Sequence, residues 1–541
     1  MKLVPDSGEL RRERPEQRGR AVLDGKDAPG SARAKAGIGR AARPVLLWLF
    51  VSTALIYLFT ASSNFSSGDS FSELHATDSM VTHAWFDVPV QKAGETCAGW
   101  GCQGTDGRFY ATHGIGYSVF MIPFYGLAQA EIHTVGAPHC GDPFWSRCVP
   151  IHLISWNTCV LTAGTVTLLA LFGLELGFNL ASALAAALLY GLASMAWPYA
   201  RFGFDVTLTG LLVLAAVREA ALAMEWGRQS MARWFRAGLF TALAILVRLP
   251  TAPIAAPLAA ACWLTGSRAL SDRLQRMAAL GIPLMVAGCL SAWYNAIRFG
   301  SVLDDGHSSN GADTLSSTPW SGLIGIVISP GKGLLWYSPI VVLAILCIPA
   351  FNRAHRATCI VALYAAAISV VTYVFVNDWY GGNAWGPRFV MPVLPLILLP
   401  LLGLPSFMSR SSWRKIAALA LIALSVFVQV AGVLVSYADR LAIAAHKGYA
   451  GDIFWNPRHS PIVDHISTLF TYVTNISNAT HPVPQSQSFD LWWLNLWRID
   501  GAPATASMSA GALVALFAAA ALYCMVARAK RVASLLSRDT R

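Results

Sequence analysis

Three acidic residues stand where a proton can be taken from an alcohol. Asp69 and Glu73 lie four apart in Ser67-Gly-Asp-Ser-Phe-Ser-Glu73, just past an apolar run over 45–61. Asp205 closes the stretch Trp197-Pro-Tyr-Ala-Arg-Phe-Gly-Phe-Asp205. A carboxylate such as Asp69 or Asp205 accepts a proton from a hydroxyl nucleophile. Three cations, Arg201, Lys332 and Arg388, sit in separate polar links; arginine grips phosphate bidentately and lysine holds it as a point charge. Lys332 falls in Ser329-Pro-Gly-Lys-Gly-Leu-Leu-Trp-Tyr-Ser-Pro339, and Arg388 ends Asn377-Asp-Trp-Tyr-Gly-Gly-Asn-Ala-Trp-Gly-Pro-Arg388. The rings of Trp197, Tyr199, Trp336, Tyr337, Trp379, Tyr380 and Trp385 suit a sugar face or a lipid groove. Base, phosphate clamp and aromatic walls together fit transfer of a group from a lipid-linked phosphate to an alcohol.

Each feature also has a plainer explanation. Ser67 or Asp69 fits a helix N-cap, with acids favoured by the dipole in the first turn. Arg388 and Lys332 fit the role of cations reaching toward lipid head groups from a helix mouth. Arg201 and Asp205, four apart, fit a local ion pair. Asp378 and Trp379 fit an interfacial cap and an aromatic belt. His113 fits a hydrogen-bonded loop histidine as well as a ligand, and Asp106 with Arg108 fits a turn closed by a salt bridge.

A scaffold must carry these residues to one place. Of 541 residues, 55% are hydrophobic and 13% charged, with mean hydropathy +0.50. Soluble proteins carry about 25% charged residues, so this composition is that of a polytopic membrane protein. The net charge of +11 is no nucleic-acid signal, because much of it lies in short links and in the N-terminal stretch, where Arg and Glu alternate without aromatics. We expect an all-α bundle of about twelve transmembrane helices, near 44–62, 151–174, 180–197, 206–224, 237–249, 251–266, 277–296, 333–351, 357–376, 390–407, 416–436 and 509–527. The fifth and sixth are short and meet at Leu249-Pro250 as a broken hairpin.

Charge parity supports that count. With the N-terminus inside, the clusters at Arg228, Arg233 and Arg236, at Arg268, Arg273 and Arg276, at Arg353 and Arg356, at Arg410, Arg414 and Lys415, and at Arg528, Lys530 and Arg531 all fall on the cytoplasmic side. Residues 1–43, rich in Arg, Glu, Gly and Ala, read as a disordered basic cytoplasmic tail. They are too long and too acidic for a signal peptide, so 44–62 is expected to stay as an anchor. The module 44–436 then carries the site. Its first extracytoplasmic loop, 63–150, contains an interfacial helix over 114–130, and 437–508 forms a second outward loop or small cap. Residues 509–541 are the last helix and a basic tail. Cys97, Cys102, Cys140 and Cys148 share the first loop, which suggests two disulfides in one of three pairings. Cys97 and Cys102 as half of a zinc site, completed by the other two or by His133 and His139, is the alternative.

Ser67-Gly-Asp-Ser-Phe-Ser-Glu73, Gly107-Arg-Phe-Tyr-Ala-Thr-His-Gly-Ile-Gly-Tyr-Ser118, Ala196-Trp-Pro-Tyr-Ala-Arg201 and Trp385-Gly-Pro-Arg388 resemble motifs of GT-C glycosyltransferases, over roughly 44–410. They are most similar to bacterial members of the dolichyl-phosphate-mannose and lipid-A aminoarabinose type. The resemblance implies a GT-C-like fold and a polyprenyl-phosphate sugar donor, used at the extracytoplasmic face with inversion. The acceptor would be a hydroxyl on a lipid, glycan or protein, and the setting a bacterial inner membrane with both termini cytoplasmic. It implies Asp69 as general base, Asp205 as a second acid, and Arg201, Lys332 and Arg388 as phosphate ligands. It also implies a role for Glu73 in orienting the acceptor or binding a divalent cation, since some members use one. The Asp-Asp or Asp-x-Asp form of the first motif, common in relatives, is absent here. The rival is a transporter or flippase of a lipid-linked or anionic solute, which would show repeat symmetry and polar groups at mid-membrane; the sequence shows neither.

Overall fold

A computed structural model describes residues 29–62, 65, 67–90, 96–98, 101–135, 151–225, 231–266, 268–306, 318–448, 452–475, 489–498 and 503–538. Residues 1–28, Cys140, Cys148 and His139 lie outside the described residues. The chain is an all-α polytopic membrane protein: among the described residues, eight helices are long and apolar enough to cross a membrane, and four shorter apolar helices accompany them.

Every expected span coincides with helix. The first helix, Pro29–Phe59, starts upstream of the expected boundary at residue 44. The Ala-, Arg- and Lys-rich residues before that boundary are good helix formers, and propensity extends the helix into the stretch read as a tail. The segment 388–408 is helical only in short 3-10 and α pieces, because Pro392, Pro395, Pro400 and Pro405 each remove a backbone donor. The expected break at Leu249-Pro250 is present. Helix Met231–Val247 stops, Arg248 adopts an extended conformation (φ −140°, ψ 108°), and a 3-10 turn Leu249–Ile254 leads into Ala255–Leu264.

Two features depart from the expectation. The link 297–332, expected to face outward, contains an apolar helix, Pro319–Ile328. Its ten residues span about 15 Å, half a bilayer's hydrocarbon core. The first loop also holds a four-stranded antiparallel sheet of β1 (Asp87–Val88), β2 (Cys97–Ala98), β3 (Gly101–Gln103) and β4 (Phe109–Tyr110), in the order β1-β4-β3-β2. Strands of two or three residues leave no alternation to read. Cys97 pairs with Cys102 across β2 and β3 and forms a disulfide with it, which resolves one of the expected bridges and excludes the half-zinc site.

Packing explains how the loop reaches the bundle. Helix Met231–Val247 lies between Leu270–Phe299 and Asp205–Glu225, and Pro29–Phe59 lies against Asn157–Glu175 and the last helix, Ala504–Arg538. The segment expected to be an interfacial helix forms helix Ile115–Val135, which packs on Gly68–His83. Gly114 lets the start of that helix approach helix Met231–Val247, since a Cβ there would sit 2.3 Å from the Leu246 carbonyl oxygen. The fully buried Arg298 then fixes the sheet: its guanidinium donates to Ala111 O, and its own carbonyl accepts Thr105 N–H at 3.1 Å.

Candidate active site

The first-loop helix Gly68–His83 begins with Ser67 as its N-cap, the hydroxyl accepting from Asp69 N–H at 3.3 Å. Asp69 is therefore in the first turn, where the helix dipole favours a carboxylate. Capping and a chemical role coexist here. From that turn Asp69 enters a cavity of about 270 Å³, also lined by His113, Arg248, Arg298, Asp378 and Arg388. These side chains come from the first loop, the Leu249-Pro250 break, the end of helix Leu270–Phe299 and the Asn377–Arg388 link.

Asp69 meets two of them through one oxygen. Arg388 Nη1 donates to Asp69 Oδ2, and His113 Nε2 lies 3.6 Å from the same atom. Burial alone would raise the Asp69 carboxyl, but the Arg388 and His113 charges and hydrogen bonds override it and hold the group well below the usual carboxylate range. Asp69 is thus an ionised base.

One turn on, Glu73 is 1% exposed and neither carboxylate oxygen has a hydrogen-bond partner. Burial, followed by the Asp205 and Asp69 charges, pushes its carboxyl well above the ordinary value. Asp205 begins helix Asp205–Glu225 and is held by Arg248, Nη1 to Oδ2, at 2.7 Å. Asp69 is thus paired with Arg388 and Asp205 with Arg248, while burial and the two neighbouring carboxylates favour the neutral form of Glu73.

Lys332 is fully buried behind this cavity. Its ammonium donates to Gly382 O at 2.8 Å and Ala384 O at 2.5 Å and lies 5.1 Å from the Tyr437 ring centroid. Gly381 and Gly382 take left-handed conformations (φ +70° and +65°), which present those carbonyls to the lysine. Burial, then the nearby Arg388 charge, holds the amine well below its ordinary value. Tyr337 lies buried beside the Lys332 loop, its hydroxyl donating to Gly331 O at 2.7 Å.

The remaining expected residues divide. Asp378 lines the cavity. Trp379 faces away from it, packed on Phe454 and Trp455 with centroids 5.9 and 5.8 Å apart. Arg201 does not pair with Asp205. It donates through Nε to Thr60 O and through Nη2 to Asp490, whose Oδ2 is 3.1 Å away and whose Oδ1 accepts Ser62 Oγ–H at 2.8 Å. Asp106 and Arg108 form the local turn contact, at 3.8 Å. Arg248 and Arg298 were missed. For Arg248 a signal existed: it is the one charged residue between Arg236 and Arg268, and an ionisable residue inside an apolar run is a functional candidate by default.

A divalent cation does not fit these groups. Arg388 and His113 occupy Asp69 Oδ2, Arg248 holds Asp205, and among the described residues no set of three or more His, Cys, Asp or Glu is placed to ligate a metal. No step below is routed through one.

No family profile matches the chain, and no curated protein sequence matches it. Among solved structures, it is similar over 90% of its length to ArnT from Cupriavidus metallidurans in the apo state, with 12% identity, TM-score 0.46 and 75% of that chain covered. For ArnT bound to undecaprenyl phosphate the values are 94%, 13%, 0.44 and 77%. For the Archaeoglobus fulgidus oligosaccharyltransferase in the apo form they are 83%, 12%, 0.42 and 60%.

Proposed function

We propose that the chain is a GT-C-type membrane glycosyltransferase that moves a sugar from a polyprenyl-phosphate donor to a hydroxyl acceptor at the extracytoplasmic face. The observation that carries this reading is the Asp69 carboxylate on the wall of a cavity shared with several charged side chains, with Oδ2 engaged by Arg388 and His113. That is a base beside a phosphate ligand. The first-loop and Trp-Gly-Pro-Arg388 motifs support it, and the one-sided basic clusters support an outward-facing site with both termini cytoplasmic.

Arg388 takes the donor phosphate in exchange for Asp69, and Lys332 adds a second positive charge from behind the Gly382 carbonyl. The acceptor oxygen attacks the anomeric carbon and forms the new C–O bond. The bond from that carbon to the phosphate oxygen breaks, its electron pair leaves on the phosphate, and configuration inverts. The acceptor proton passes to Asp69. Charge developing on the leaving phosphate meets cations already in place, which is where electrostatic catalysis gains most. Arg201 serves this reading by anchoring the 489–498 segment to the helix mouths rather than by binding phosphate. Tyr337 and Trp379 support the Lys332 and Asp378 links.

Purified protein supplied with radiolabelled undecaprenyl-phosphate mannose or arabinose, and a membrane extract as acceptor source, tests this. The expected result is label released from the lipid into acceptor. Label that stays on intact lipid while the lipid crosses between vesicle leaflets would establish the transporter alternative instead.

A further inference from the structure

Resting on the glycosyltransferase reading, we infer that the cavity wall formed by Thr112, Ser291 and Tyr294 holds the donor's sugar, with the Tyr294 hydroxyl bound to a hydroxyl of that sugar. All three residues line the same cavity as Asp69 and Arg388. Ser291 and Tyr294 stand three apart on helix Leu270–Phe299, which puts them on one face. Thr112 directly precedes His113, whose Nε2 is 3.6 Å from Asp69 Oδ2, so this wall begins one residue from the reacting carboxylate's neighbour.

What this wall offers a ligand is neutral. Arg298 also lines the cavity, but each of its three nitrogens is engaged: Nε on Tyr294 O at 3.2 Å, Nη1 on Ala111 O, and Nη2 on Asn295 Oδ1 at 2.8 Å. Asn295 in turn donates to Val302 O at 3.2 Å. By contrast, among the described residues no hydrogen bond engages the hydroxyl of Thr112, Ser291 or Tyr294. Tyr294 is 3% exposed, its ring packed against the Arg298 guanidinium at 3.7 Å and the Phe86 ring at 5.1 Å. A buried tyrosine hydroxyl finds a partner in most structures, so one left without a protein partner on a cavity wall is placed for a ligand. The carboxylates of Asp305 and Asp378 on the same cavity repel a second anion there. Sugar hydroxyls both donate and accept, as serine, threonine and tyrosine hydroxyls do, and match this wall.

Covalent attachment favours the donor's sugar over a sugar of the acceptor. The anomeric carbon is one oxygen away from the phosphate that Arg388 takes, and it must lie beside Asp69 for the acceptor proton to reach that base. The ring built on this carbon is therefore confined to the walls around Asp69. Those walls are fixed in advance: Arg298 grips Ala111 and packs on Tyr294, which holds Thr112 and Tyr294 on either side of one guanidinium. A ligand that meets hydroxyls already in place loses less affinity to ordering them.

The test measures binding to the purified protein of undecaprenyl phosphate and of whichever labelled donor, undecaprenyl-phosphate mannose or arabinose, binds more tightly. The unaltered chain is compared with Tyr294→Phe and Ser291→Ala. Phenylalanine keeps the ring against Arg298 and removes only a hydroxyl without a protein partner, so the thermal midpoint should not move. Tyr294→Phe is expected to weaken the sugar donor about three- to tenfold, and Ser291→Ala about threefold, each the loss of one hydrogen bond. Neither should change undecaprenyl phosphate affinity by more than about twofold. Donors lacking one sugar hydroxyl at a time add a second reading: one of them should bind the unaltered chain and Tyr294→Phe equally well. Donor affinity unchanged in Tyr294→Phe would overturn the inference, including where the acceptor KM rises instead and the wall passes to the acceptor. So would an equal loss for undecaprenyl phosphate, which lacks the sugar, or a Tyr294→Phe defect that persists against every deoxy donor. An unaltered protein that binds neither lipid would overturn the glycosyltransferase reading itself, and the sugar wall with it.

Discussion

Arg248 and Asp205 form a buried ion pair, 2.7 Å from Nη1 to Oδ2, between a helix that breaks at Leu249-Pro250 and one that begins at Asp205. The break frees Arg248 from helical geometry, and helix Asp205–Glu225 aims its first residue at it. Removing one partner leaves an uncompensated charge with 9% or 1% exposure, a loss of about 3–5 kcal/mol for buried pairs in general. Asp205→Ala and Arg248→Ala should each lower the thermal midpoint in detergent sharply. The double replacement should be milder than the sum of the two. Additive losses would show that the pair is not a unit.

Glu73 should behave as an acid that never ionises during function. Glu73→Gln, which copies the neutral form, is expected to keep more than half of the transfer rate, while Glu73→Lys abolishes it. The sign of the pH effect follows. A carboxyl raised above the ordinary 4.5 favours the folded state in its protonated form. Its contribution therefore falls as pH rises above about 4.5 toward the folded value. Glu73→Gln removes that slope, so its midpoint should decline less between pH 5 and pH 8. Equal slopes in the two proteins would refute a neutral Glu73.

Lys332 and Arg201, both buried basic side chains, should separate cleanly. Lys332 has carbonyl partners and no carboxylate, so Lys332→Met is expected to weaken undecaprenyl phosphate binding at least about tenfold. Because burial holds the amine low, an anion that charges it takes up a proton. Affinity of the unaltered protein should fall from pH 7 to pH 9, where the phosphate is already dianionic, and Lys332→Met should lose that slope. Arg201 is committed to Asp490 and Thr60, so Arg201→Met should lower stability and leave the phosphate affinity within about twofold. Titration of each variant with undecaprenyl phosphate reads both.

What was legible in the sequence follows from range and length. Apolar runs announce helices because the bilayer demands about 20 residues of them. Asp69, Asp378 and Arg388 stand out because ionisable groups at helix mouths are costly without a purpose. The Arg201 partner was not legible: Asp490 lies 289 residues away, and nothing local distinguishes that pairing from one with Asp205. Strands of two or three residues hid the sheet, and the helix terminus around Arg298 hid its grip on Ala111. Arg248 is readable as a lone charge in an apolar run, beside the Leu249-Pro250 break.

The most direct test of the whole account is sugar transfer from labelled undecaprenyl-phosphate donors by Asp69→Asn, a near-isosteric change that keeps the first turn of its helix. The protein should elute as a single species with a cooperative melt, bind undecaprenyl phosphate, and transfer at least about a thousandfold more slowly than the unaltered chain. Transfer at the unaltered rate by that well-folded protein would contradict Asp69 as the base on which the mechanism rests.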